Sequence, residues 1–550
     1  MKNILYFALA GTLMLGSCQK DFLERAPQNS VSETLFWKSE NEVYLAVNGL
    51  YAELPGEGLM YEDAATDIVH GQYTWESTAT AVSAGIVPTV LNAGWNFVGI
   101  RKANYFLQNV DKATLDENLK TRYKAEVRFI RAMKYVDLVN KFGDVPIITK
   151  ELSISESNVP RDPKAEVVKF ILNELTEVAQ NLPTSYGGGR SNEKGRITKG
   201  AALALKARVE LQQSKWAEAA ATSREIMGLG YELFKVTAET DAFDLKDDYT
   251  KLVDFENEED EQNFRLGLRS YEGVFRAANE KSIKEVILDR QYIEQAQPQY
   301  TNTYLPEASL GGWSSLAPTQ NLVNAYQSYK TGEVLTTPSN AVRADRYKNN
   351  KTAFLSEFKN RDPRFYASIL FETAPWAAAT NDGTYTFKWV AGGNNMSKTG
   401  YNFRKFVDPT ALRQNIANHS NFIIIRYAEV LLTFAEAQNE LSGPSAAVYA
   451  ALDQIRERAG MLKVNQAKYA TKEALREFIR NERQVELALE GLRYMDIRRW
   501  NIASTVMNTI YDLNNSVAQE RIWDNKLMLM PIPQKEIDNA HGVLIQNPGY

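Results

Sequence analysis

Residues 201–227, AALALKARVELQQSKWAEAAATSREIM, decide the fold. Ala201, Ala204, Leu205, Ala207, Arg208 and Leu211 recur at spacings of three and four, which places them on one face of a helix. After Lys215, the run Trp216-Ala217-Glu218-Ala219-Ala220 opens a second helix that reaches Met227. Working outward, the same period returns on both sides. Upstream it predicts a helix from Ala165 to Asn181, stopped by Pro183 and Gly187-Gly188-Gly189. Before that come a helix carrying Ile100, Ala103, Asn104 and Leu107, and one from Thr121 to about Phe142 carrying Ala125, Phe129, Ala132, Met133 and Val136. Gly143-Asp144-Val145-Pro146 ends the latter, as Gly and Pro should. Ser39 offers an N-cap to a helix with Val43, Ala46, Val47 and Leu50 on one face. Downstream, Asn421 to Tyr427 leads into Ala428–Glu440, stopped by Gly443-Pro444; helices follow at 446–459, ending at Gly460, at 472–490, and at 492–500.

The small alanine face followed by Trp216-Ala217-Glu218-Ala219 resembles the two helices of a tetratricopeptide unit. The usual Gly and Tyr of its first helix are missing, and a plain antiparallel pair is the alternative. Between the helical ends the periodicity fails. Tyr61 to Asn92 is expected to be loop. So is the acidic stretch Asp254, Glu256, Glu258, Glu259, Asp260 and Glu261, whose spacing does not match an EF-hand. Short strands are expected at 285–288 and 386–390 in an otherwise loop-rich region from Tyr292 to Ala411. The predicted fold is mostly α: an α/α superhelical body of tetratricopeptide-like hairpins, with an inserted loop-rich ligand-binding region and a few short strands.

At the N-terminus, Lys2 and the uncharged apolar run Ile4–Leu15 are too short for a bilayer span, which takes roughly 20 residues. They suit a signal peptide. Leu15-Gly16-Ser17-Cys18 resembles a bacterial lipobox, in which Cys18 is acylated and becomes the mature N-terminus. Cys18 is the single cysteine of the chain, so no disulfide framework exists. Gln19 to about Ser32 reads as a tether. Sixty-three basic against 68 acidic residues leave a net charge of −5, which argues against nucleic acid as a partner.

Signatures of catalysis are missing. The three histidines, His70, His419 and His541, are far apart in sequence, so neither a zinc-protease helix nor a local histidine metal cluster is available. There is no Gly-x-Ser-x-Gly elbow and no phosphate loop. Paired carboxylates for glycoside hydrolysis need no local spacing and stay open. No catalytic residue, metal or other cofactor is predicted, calcium included. What stands out is aromatic residues outside the helical patterns. One group is Tyr61, Tyr73, Trp75 and Trp95, with Asp63, Asp67, His70, Gln72, Glu76, Asn92 and Asn96. A second is Tyr292, Tyr300, Tyr304 and Trp313, with Gln295, Gln299 and Asn302. A third is Trp376, Tyr385, Trp389 and Tyr401. Rings flanked by amides and carboxylates suit a sugar, the ring stacking on its apolar face while polar groups bond the hydroxyls. The candidate ligand residues are Trp75, Trp313, Tyr73, Tyr292, Tyr304, Asp67 and Asn96. Trp216 and Trp500 lie on helical patterns and are expected in the core. In 481–493, Arg483 with Glu486 and Glu490 with Arg493 are three apart and can pair on a helix surface. A buried Arg–Glu network docking helices is the structural expectation there.

With those segments in view, the chain resembles the SusD/RagB family of outer-membrane nutrient-binding lipoproteins of Bacteroidetes, over nearly its whole length. The resemblance rests on Cys18, Phe22-Leu23-Glu24, Phe36-Trp37, the run from Ala125 to Ala132, and Phe142 to Pro146. It continues through Arg361-Asp362-Pro363-Arg364, Arg426 to Leu432, Ile455 to Gly460, and Glu482-Arg483 to Arg499-Trp500. Pro531-Ile532-Pro533 and Gln546 to Tyr550 complete it. It implies four tetratricopeptide-like units and a surface-exposed, lipid-anchored protein of the outer membrane that binds a glycan. It also implies a SusC-like TonB-dependent transporter as partner, over which the lipoprotein acts as a lid. Some relatives take peptides instead. On this resemblance the chain divides into a signal peptide (1–17), a lipidated N-terminus and tether (18–38), an N-terminal region with tetratricopeptide-like helices (39–236), a loop-rich region (237–420) and a C-terminal helical part (421–550).

Overall fold

The computed structural model describes residues 36–187 and 193–550. The expected signal peptide, Cys18, the expected tether up to residue 35 and Phe22-Leu23-Glu24 therefore lie outside the described residues. The expected helices form. Glu40–Tyr51 starts with a capping box in which the Glu42 carboxylate accepts from the Ser39 N–H at 2.8 Å, tying up two otherwise orphan donors. Val43, Val47 and Leu50 are its buried face. Glu117–Phe142 is capped by Asp116 and stopped by Gly143 at φ 73°, a conformation a side chain would strain.

Each long helix packs on the next. Val98–Asn109 lies on Glu117–Phe142, then come Lys164–Asn181, Lys199–Gln212 and Trp216–Met227 in turn. Trp216–Met227 does not end the stack; it packs on Tyr427–Ser442, some 200 residues later, which in turn meets Ala446–Arg458 and Lys472–Glu486. The alanines of the deciding stretch explain this closeness. Ala201, Ala204, Ala207, Ala219 and Ala220 are all buried, and small side chains let helix backbones approach. Arg208 of this hairpin reaches across to Glu429 at 2.7 Å. Trp216 and Trp500 are half-buried. The strands are short antiparallel pairs: Val69–Gly71 with Leu316–Pro318, Val286–Arg290 with Phe422–Arg426, and two smaller pairs.

Four expectations need correction. The acidic stretch is a solvated loop only at Asp254 and Glu256; Glu258–Glu272 is a helix whose first turn holds Glu258, Glu259, Asp260 and Glu261, with Asn257 capping Asp260 N–H at 2.9 Å. Acids at a helix N-terminus are stabilised by the macrodipole. Residues 386–390 form no strand; Phe387 exchanges hydrogen bonds with Thr373 and Ala374, but Thr373 at φ 70° breaks the ladder. Tyr61 to Asn92 contains the end of a 3-10 helix (Glu57–Ala65), a strand and a short helix (Ala79–Ser83), and the region from Tyr292 to Ala411 holds short helices such as Asn340–Asn349 and Pro363–Ser368. Finally, Arg483 and Glu486, and Glu490 and Arg493, are buried but do not pair with each other. Arg483 meets Asp496 and Glu436, and Arg493 meets Asp67.

The expected network does exist. Glu486 accepts from Arg364, Arg426 and Arg458; Glu285 binds Arg426 and Arg458; Glu482 binds Arg364 and Arg456; Glu490 binds Arg426 and Lys405. It joins the Lys472–Glu486 helix to the strand Phe422–Arg426, to Ala446–Arg458 and to the inserted region. Helix docking elsewhere is tighter still. A Cβ on Gly267 would sit 2.4 Å from the backbone of Ala459, and backbone cannot give way. Gly267→Ala is expected to cost about 1–3 kcal/mol, read as a lowered urea midpoint at unchanged m-value.

Candidate functional site

The first and second aromatic groups, some 240 residues apart in sequence, converge. The antiparallel ladder of Val69–Gly71 with Leu316–Pro318 is the cause: His70 pairs with Ala317 and Gly71 with Leu316, and Gln72 N–H continues it to the Ser315 carbonyl at 2.8 Å. The segment leaving one strand carries Tyr73 and Trp75; the segment entering the other carries Trp313. The turn before the first strand is pinned by Arg521, a buried guanidinium that donates to the carbonyls of Ala64, Thr66 and Val69. Trp313 is set by its N–H to the Thr303 carbonyl at 2.8 Å and by Ser315 N–H to the Tyr304 carbonyl at 2.7 Å, which hook it to the short helix Thr301–Tyr304.

The Tyr73 and Trp75 rings lie 4.6 Å apart at 32°. The Tyr73 hydroxyl accepts from Gln72 Nε2 at 2.9 Å, donates to Asn395 Oδ1 at 2.8 Å and lies 3.3 Å from the Trp313 carbonyl. Tyr304 is the hub of the other rings, 6.1 Å from Trp313, 6.0 Å from Tyr61 and 6.2 Å from Tyr300. Trp75 is 77% exposed, Tyr300 49% and Trp313 43%. These are large rings presented to solvent on hydrogen-bonded supports.

Two carboxylates sit among them. Glu76 accepts from the Tyr61 hydroxyl and from Ser315 Oγ, both at 2.8 Å; Glu57 accepts from the Tyr292 hydroxyl, whose ring lies 5.6 Å from the Arg290 guanidinium. Burial, followed by the hydrogen bond to Glu76, pushes the Tyr61 phenol far up, and burial with Glu57 does the same to Tyr292. Burial and the charges of Glu57 and Glu76 also raise Tyr304. The phenols therefore stay protonated donors, and the carboxylates keep free lone pairs for ligand hydroxyls.

Of the seven predicted ligand residues, Trp75, Tyr73, Trp313 and Tyr304 come together, with Tyr292 on the Glu57 side of Tyr304. Asp67 does not belong with them. It is buried, both oxygens receive the Arg493 guanidinium at 2.9 Å, and Asn321 adds a further donor; it joins segments 426 residues apart in sequence. Asn96 is exposed elsewhere, its Oδ1 capping Val98 N–H at 2.8 Å. Trp95 is core, edge-on to Phe142 at 5.0 Å. In the third group Trp376, Trp389 and Tyr401 are buried, and the half-buried Tyr385 hydroxyl is held by Glu307 at 3.0 Å. Asn395, Glu57 and Arg290 were not anticipated. Only Asn395 leaves a trace in the sequence, the turn-forming run Gly392-Gly393-Asn394-Asn395, where it adopts φ 48°.

The model of the SusD family matches residues 272–550 of this chain, and a model described as "Starch-binding associating with outer membrane" matches 21–211. SusD-like protein P2 of Formosa agariphila is 24% identical over 96% of either chain. The starch-binding protein SusD of Bacteroides thetaiotaomicron is 24% identical over 84% of this chain and 79% of its own. Among solved structures, a SusD-like protein of Bacteroides fragilis superposes with a TM-score of 0.79 at 29% identity, covering 96% of this chain and all of that one. A laminarin-binding SusD-like protein gives a TM-score of 0.63 at 23% identity, over 94% and 100%.

Proposed function

The chain belongs to the SusD family, and we propose that it is a non-catalytic carbohydrate-binding protein of the outer membrane, anchored through acylated Cys18 and facing the cell exterior. It binds an oligo- or polysaccharide and delivers it to a TonB-dependent transporter for uptake. The single observation that carries this reading is the exposed aromatic face of Tyr73, Trp75, Tyr300, Tyr304 and Trp313, held together by the ladder between residues 69–72 and 315–318. Rings of this size stack on the apolar face of a sugar. The adjoining Glu76, Glu57 and Asn395 supply acceptors and an amide for its hydroxyls. The names of relatives support the ligand class: one is a starch-binding protein and another binds laminarin.

The test is calorimetry or affinity electrophoresis of the folded protein against plant, fungal, microbial and host polysaccharides. The expected result is binding to one class without release of reducing ends. Binding of peptides with silence across the polysaccharides would overturn the reading in favour of a peptide receptor, and product formation would overturn it in favour of a hydrolase.

A further inference from the structure

Tyr73 and Trp75 lie just after the strand Val69–Gly71, and Trp313 just before the strand Leu316–Pro318, so the ladder ends between them. Beyond it Glu76 is tied to Ser315, and a third segment reaches both halves from outside. Asn395 takes the Tyr73 hydroxyl on its side-chain oxygen at 2.8 Å, and its backbone carbonyl accepts from Ser314 Oγ at 2.7 Å. One residue thus holds the ring partner of Trp75 and the chain neighbour of Trp313.

Asn395 is itself fixed. The buried Trp389 donates its indole N–H to the Ser397 carbonyl at 2.8 Å. Turn bonds from Gly393 N–H to the Val390 carbonyl and from Met396 N–H to the Gly393 carbonyl fill the interval. On the other side, the buried Asn402 amide donates to Ser314 Oγ at 2.8 Å and to the Leu305 carbonyl at 2.9 Å. Both ends of the Ser314–Asn395 bond have left-handed backbone, Ser314 at φ 49° and Asn395 at φ 48°. That conformation is uncommon outside glycine. It persists where surrounding bonds over-determine it, ligand clamps among them.

Resting on the sugar-binding reading of the face, we propose that Asn395 is its positioning residue. Through the Tyr73 hydroxyl and Ser314 it sets the stance of Tyr73 and Trp75 relative to Trp313, and affinity for the polysaccharide depends on that stance. The Tyr73 hydroxyl gives its proton to Asn395 and accepts from Gln72 Nε2 at 2.9 Å, so it is engaged by the protein and orients the ring. Rings ordered before the sugar arrives lose little freedom on binding it, which raises affinity without adding a contact.

The test labels the protein with fluorotryptophan and follows the Trp75 resonance by fluorine NMR without sugar, assigning it by its loss in Trp75→Ala. Asn395→Gly accepts the left-handed backbone without strain and removes the side-chain oxygen; Tyr73→Phe removes its partner. Each is expected to shift and broaden the Trp75 resonance alike, and the double variant no further. Asn395→Asp tolerates the same backbone and retains an acceptor, so the wild-type resonance should persist. In calorimetry with soluble starch and laminarin, each single variant is expected to raise Kd about fivefold, the worth of one hydrogen bond. The double variant should raise it about fivefold as well. A Trp75 resonance unmoved by Asn395→Gly overturns the proposal, because Asn395 then does not hold the ring. A double variant weakened roughly twenty-five-fold, the product of the two, also overturns it, because Asn395 then acts on the sugar independently of Tyr73. Binding of neither glucan by the wild-type chain speaks against the sugar reading of the face and not against the clasp, which the spectra decide without sugar.

Discussion

Trp75→Ala is expected to weaken polysaccharide binding by about 2 kcal/mol, roughly thirtyfold in Kd, with no change in melting temperature. Its ring is 77% exposed and lies tilted against Tyr73, so truncation removes contact area without opening a cavity. Trp313→Ala is expected to lose affinity likewise, because its backbone hydrogen bonds to the Thr301–Tyr304 segment do not depend on the indole. The double variant should reduce binding by more than either single one. Trp95→Ala is the control with the opposite signature. It empties a buried site against Phe97 and Phe142, so stability should fall by about 3–5 kcal/mol while the residual folded protein binds normally. Calorimetry paired with thermal melts separates the two. A Trp75→Ala protein that melts early, or binds as tightly as before, would remove the aromatic face from the site.

Glu486→Ala should destabilise the fold as strongly as emptying a core site. Its carboxylate is fully buried and accepts from Arg364, Arg426 and Arg458, so the substitution strands guanidinium groups in a dry interior. Breaking a buried pair in this way costs about 3–5 kcal/mol. The same carboxyl sets the acid limit. Burial pushes it up, but the charges of Arg458, Arg426 and Arg364 outweigh burial and hold it far below the usual carboxylate range. A carboxyl depressed in the folded state contributes stability that is full above its unfolded value, near 4.3, and is lost as pH falls below it. Asp63 runs the other way. Burial raises it to about 7 against the hydrogen bonds from Gly491 and Arg493 N–H. Its contribution therefore favours folding in mild acid and is lost as pH rises from about 4 toward 7. Melting temperature should accordingly decline gently from pH 5 to 7 and fall steeply below pH 4. Glu486→Ala should flatten the acid limb, and Asp63→Asn the neutral one.

The helices were legible because their information is local. Alanine spacing at 201–220, Ser39 before its apolar face, and Gly143 and Gly460 as stops each act within one or two turns of chain, and each element stands within a few residues of its expected place. The acids of 254–261 misled because a charge run looks alike in a solvated loop and in the first turn of a helix; Asn257 was the only local sign. Which aromatic residues face solvent was legible only in part: Trp75 and Trp313 are exposed as expected, but no local signal separates them cleanly from the buried rings. Trp75, Trp95 and Trp389 sit in similar polar, irregular surroundings, yet the first is exposed and the other two are core. The difference lies in a ladder that pairs residue 70 with residue 317. Asp67 shows the same limit: its partner Arg493 is 426 positions away. Sequence alone determined the helical body and the residue types available to a ligand. Only the tertiary structure decided which rings share a surface and which acids are spent on arginines, because those outcomes depend on strand pairing and burial between segments that carry no local record of each other.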